Sequence, residues 1–76
     1  MKTIYSIKKS ALVLDDGNFI LTYGIEASDE NTGNIISDFK DVSVNKKLTE
    51  HIVSILNSCE VEICHFHDVV IDELNR

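Results

Sequence analysis

A chain of 76 residues has room for one small core, so a catalytic domain joined to a regulatory one is excluded, and the net stability of such a fold is only a few kcal/mol. Its hydrophobic fraction of 43% and charged fraction of 26% are those of a folded globular protein rather than a disordered one. The formal charge of -6 opposes a phosphate backbone or an anionic bilayer, which disfavours nucleic-acid binding and membrane adsorption; no apolar run is long enough to span a membrane.

Charge is unevenly distributed. Lys2, Lys8 and Lys9 stand in the first fourteen residues without an acid, whereas residues 60–73 carry five acids and neither lysine nor arginine. Lys8 and Lys9 also interrupt the apolar stretch that a signal peptide needs, so a cytoplasmic protein is expected. With only Cys59 and Cys64, the chain lacks the cysteines of a secreted disulfide scaffold, and both are expected as thiols.

The first element is an extended segment over residues 3–14, rich in Ile, Tyr, Val and Leu. Its alternation breaks near residues 8–10, where Lys9 interrupts the face of Tyr5 and Ile7, as a bulge or an exposed edge would require. Asp15-Asp16-Gly17-Asn18 then offers the Asp-Gly step of a tight turn. Over residues 19–28, Phe19, Leu21, Tyr23, Ile25 and Ala27 alternate with Thr22, Gly24, Glu26 and Ser28, the pattern of a strand with one buried side. A polar cluster over residues 29–34 forms the next turn, and residues 35–44 resume a strand pattern with Ile35, Ile36, Phe39, Val42 and Val44. Lys8-Lys9 reads as an edge guard against strand addition, and Lys46-Lys47 adds a thin positive feature at the first helix.

Helical spacing begins at Leu48. Leu48, Ile52, Ile55, Leu56 and Cys59 form an apolar stripe opposite Lys47, Glu50, His51 and Ser54, with Asn45 or Ser43 as the cap. Residues 61–63 are a candidate for a short fourth strand. Phe66, Val69, Val70 and Leu74 mark a second helix starting at Cys64 or His65. The expected fold is α+β: a three-stranded antiparallel meander covered on one face by two C-terminal helices, β-β-β-α-α.

Chemistry-bearing side chains concentrate in residues 59–68, followed by Asp72 and Glu73. Zinc needs three or four converging donors, and neither a Cys-x-x-Cys nor a His-x-x-x-His pair is present. On a helix His65 and His67 diverge, whereas His65, Asp68 and Asp72 share a face, so a mixed site of Cys64, His65, Asp68 and Asp72 is the metal- or ligand-sensing alternative. The plainer reading makes Cys59 and Cys64 apolar fillers and Phe66 core. Asp72 and Glu73 lie where the helix dipole disfavours acids, which makes Asp68, Asp72 and Glu73 candidates for contacting a protein partner. Gly17, Gly24 and Gly33 are isolated, so no phosphate loop is present, and no cofactor is implied. A Cys/His dyad needs a cleft that so short a chain has little bulk to build, and no enzymatic activity is expected.

Residues 13–24, the turn and strand over 29–36, Lys40-Asp41-Val42-Ser43, and His67-Asp68-Val69-Val70-Ile71-Asp72-Glu73-Leu74 resemble a family of short clostridial and related Gram-positive proteins that form a domain of unknown function. The resemblance covers nearly the whole chain and implies a bacterial cytoplasmic setting, with no catalytic residue or ligand to transfer. The expected function is that of an interaction or regulatory module with a protein partner, a homodimer among the candidates.

Overall fold

The computed structural model describes residues 2–76. Three strands, β1 (Thr3–Val13), β2 (Phe19–Asp29) and β3 (Ile35–Ser43), form an antiparallel sheet in the order β1-β2-β3, followed by helices α1 (Lys46–Ser58) and α2 (Phe66–Leu74). This is the expected β-β-β-α-α fold. The β1–β2 register runs unbroken from Thr3 opposite Asp29 to Val13 opposite Phe19, so the pattern break near Lys9 marks a sheet edge and not a bulge. The irregularity falls in the β2–β3 pair, with register shifts between Tyr23 and Ile25 and between Ala27 and Ser28.

The first turn closes through Leu14 N to Asn18 O at 2.7 Å and Gly17 N to Leu14 O at 3.0 Å, with Gly17 at φ +87°, where a side chain would be strained. Asn45 caps α1: its Oδ1 accepts from the Leu48 amide at 3.1 Å, while Ser43 Oγ accepts from the Asn45 amide at 3.0 Å. Thr49, Ile52 and Leu56 are the fully buried face of α1, so the stripe is turned slightly from the expected one. Thr49 satisfies its hydroxyl by donating to Asn45 O at 3.1 Å.

At the end of α1 the backbone turns the chain back on itself. Glu60 adopts φ 48°, and the Glu60 amide bonds Asn57 O at 3.2 Å while the Val61 amide bonds Leu56 O at 3.0 Å, the paired closure that stops a helix and reverses the chain. The Val61 carbonyl then accepts from the Tyr5 hydroxyl at 2.6 Å. Both backbone groups of Val61 are thus engaged, and residues 61–63 do not form the fourth strand. Residues Ile63–His65 instead make one 3₁₀ turn, and α2 begins at Phe66.

The core gathers Tyr5, Ile25, Ala27, Val42, Ile52, Leu56, Phe66 and Val70. Tyr5 and Phe66 rings pack at 5.1 Å between centroids. Burial and then the nearby Cys64 thiol push the Tyr5 hydroxyl above its ordinary pKa. Asn57 holds the backbone of the same residue: Tyr5 N donates to Asn57 Oδ1 at 2.9 Å and Asn57 Nδ2 donates to Tyr5 O at 2.9 Å. One side chain thereby takes the place of a neighbouring strand at that point of the edge. Asn57→Ala is expected to lower unfolding free energy in urea by about 1–3 kcal/mol, because two edge groups lose their partner. Ser54→Ala, on the exposed face of α1, should stay within about 0.5 kcal/mol.

Candidate functional site

Three places hold polar or apolar groups that the core does not absorb. The first lies on the sheet face turned away from the helices, where β3 folds close over Gly24. A Cβ there would meet the Phe39 carbonyl at 2.6 Å, so only glycine admits the approach. Asp41, at φ 51°, carries its carboxylate back to the sheet, where it accepts from the Thr22 hydroxyl and, at 3.5 Å, from Ser10 Oγ. Ser10 Oγ and Thr22 Oγ1 lie 3.1 Å apart. Alongside, Lys8 pairs with Glu26 at 2.8 Å; the hydrogen bond and charge of that carboxylate raise the lysine pKa. Lys8, Ser10, Gly24, Glu26 and Asp41 border a cleft of about 300 Å³ with Asp38 and Lys40 on its β3 side. The Asp41 carboxylate, bonded to both hydroxyls, ties the β3 bulge to β1 and β2.

The second place is the distal half of the β1–β2 hairpin. Every residue from 8 to 21 is exposed. The sequence pattern places Phe19, Leu21, Tyr23, Ile25 and Ala27 on one buried face, but only Ile25 and Ala27 are buried, Tyr23 is half-buried, and Phe19 is 64% exposed. Alternation reports a shared face, and the helices cover only its proximal end. Leu12, Val13, Leu14, Ile20 and Leu21 are exposed with Phe19. They divide between the faces of the hairpin, with Val13, Phe19 and Leu21 on the face that the helices cover at its other end, Leu12 and Ile20 on the opposite face, and Leu14 entering the turn. At the tip, Asp16 accepts from the Asn18 amide and from Asn18 Nδ2, each at 3.0 Å, which holds its carboxyl below the ordinary carboxylate range.

The third place is the 3₁₀ turn. Donor atoms of Glu62, Cys64 and His65 lie within 4.8 Å of one another, all three side chains exposed. The sequence grouping of Cys64 and His65 with Asp68 and Asp72 assumes one continuous helix. Because His65 ends a 3₁₀ turn before α2 begins, it joins Glu62 and Cys64, and Asp68 and Asp72 are outside the trio. Cys59 and Cys64 are both exposed thiols, not the buried fillers expected of them. Asp68 and Asp72 are exposed on α2, with Asp68 in its first turn. Glu73 is largely covered and pairs with Arg76 at 3.4 Å.

The family description "Family of unknown function (DUF6514)" matches residues 1–76. The chain belongs to that family. No curated protein and no solved structure matches it. DUF6514 brings no assigned residue, so the roles of the DUF6514 chain's side chains rest on their geometry. No helix among the described residues is long and apolar enough to cross a membrane. Thr22 and Asp41 at the first place, and Asn57 at the β1 edge, escape sequence reasoning, because their partners lie 52, 19 and 31 residues away for the contacts of Asn57 with Tyr5, Thr22 with Asp41, and Ser10 with Asp41.

Proposed function

We propose that this chain is a non-catalytic protein-interaction module of the bacterial cytoplasm, and that the distal β1–β2 hairpin is its contacting element. The observation that carries this reading is the unbroken exposure of residues 8–21, a hairpin arm that includes six large apolar side chains. A two-stranded hairpin has no buried face of its own and is marginal in water, so an apolar one projecting from a core gains stability from a covering surface. The molecule is elongated accordingly: it measures 44 × 30 × 18 Å with a radius of gyration of 13.0 Å. A compact chain of this length has a radius of gyration of about 11 Å. Asp68 and Asp72 offer a second, charged surface on α2, while Glu73 is occupied by Arg76.

A photo-crosslinking residue placed at Phe19 is expected to give covalent protein adducts in cells, and the same residue at Ser54 on α1 is expected to give none. Adducts from Ser54 alone would contradict the arm as the contacting element.

A second reading, a metal-responsive sensor, is favoured by the convergence of Glu62, Cys64 and His65. Carboxylate, thiolate and imidazole supply three of the four ligands that zinc takes, leaving water for the fourth. It ranks below the first because the turn is open, with only a 3.9 Å contact between Cys64 Sγ and Glu62 Oε2 to orient the donors. A sensor of this kind raises its melting temperature when zinc is added, and Cys64→Ser abolishes the rise. An unchanged melting temperature removes this reading.

A further inference from the structure

We propose that the occupant of the arm is a second copy of this chain, paired antiparallel along the free edge of β1 about a two-fold axis at Leu12. The inference rests on the arm being the contacting element and adds the partner and the register.

The backbone of β1 sets the terms. Tyr5 directs both its N–H and its C=O away from β2, toward Asn57. Antiparallel strands alternate the direction of these groups, so Ile7, Lys9, Ala11 and Val13 also turn theirs outward. Asn57 closes the edge at Tyr5 only. From Lys9 to Val13 the edge is exposed and has no neighbouring strand, which leaves it open to strand addition by another chain.

Charge selects the register. An isologous pair that sets residue i opposite residue j also sets j opposite i, so that only the residue on the axis meets its own copy, and outward-facing residues of one strand bond outward-facing residues of the other. An axis at Lys8 or Lys9 sets identical lysines against each other, which is repulsive. An axis at Leu12 sets Ala11 opposite Val13 for the two-way backbone bond. It also brings Lys9 of one copy toward the exposed turn that follows β1 in the other, where Asp15 is the first acid after the strand. Lys9 and Asp15 are both exposed and neither enters an ion pair among the described residues. Lysines that guard the strand against random addition thus admit one shifted, charge-matched alignment. Within one chain, Lys9 lies inside β1 and Asp15 in the turn beyond its end at Val13, and the two form no ion pair among the described residues.

Area sets the strength. Phe19, Ile20 and Leu21 lie on β2, so pairing along β1 covers less than the roughly 800 Å² per partner of a standard interface, and the dimer is weak.

Sedimentation equilibrium of the full chain from about 5 µM to about 1 mM, a span chosen to bracket a weak interface, is expected to show monomer passing to dimer. Lys9→Asp and Asp15→Lys should each weaken the dimer about tenfold, because each symmetric contact occurs twice. The double variant K9D/D15K should restore it, which only an intermolecular pair accomplishes. A monomer at every concentration, or a double variant no better than the singles, overturns the proposal. In either event, Phe19 crosslinks to a different protein would leave the arm reading standing, and absence of arm adducts would remove both.

Discussion

Tyr5 is the point on which the rest of the molecule depends. It is buried, its ring packs at a tilt against Phe66 of α2, its hydroxyl binds the carbonyl of Val61 after α1, and its backbone N–H and C=O are both held by Asn57 within α1. Edge strand, first helix, reversing turn and second helix are therefore fixed to one another through a single residue. Removing the ring would leave a cavity that a core of eight buried apolar residues has little capacity to refill.

That attachment lies near the start of β1, and lengths do the rest. Eleven extended residues span about 36 Å, whereas thirteen helical residues span about 20 Å. Helices tied to Tyr5 cannot reach the far end of the hairpin. The bulge at Gly24 and Asp41 acts in the same direction, since it carries β3 across β2 beside the core and leaves β1 and β2 to continue as a pair. An exposed arm is then a consequence of where the helices are anchored.

Element types and order are legible from residue patterns because each depends on neighbours in sequence: the Asp-Gly turn, the period of β2, the Asn45 cap and the stripe of α1. Coverage is not legible. Phe19 and Ile25 obey the same alternation, yet one is bare and the other buried, since nothing local records how far a helix extends over a sheet. The fourth strand fails for a related reason: the Val61 backbone is claimed by Leu56 and by Tyr5, a partner 56 residues away. The metal grouping of Cys64, His65, Asp68 and Asp72 assumed helical projection through a turn that is 3₁₀, and the donors regroup around Glu62 instead.

The attachment at Tyr5 leaves the far edge of β1 bare, and the proposed dimer pairs along it. Amide hydrogen exchange at increasing protein concentration addresses the edge residue by residue. The outward-facing amides of Lys9, Ala11 and Val13 should exchange fast in dilute solution and become protected as concentration rises, while the β2-facing amides of Ser10 and Leu12 change little. Exchange at Lys9, Ala11 and Val13 that is independent of concentration, or protection appearing on the outer face of α1 instead, would contradict pairing along that edge.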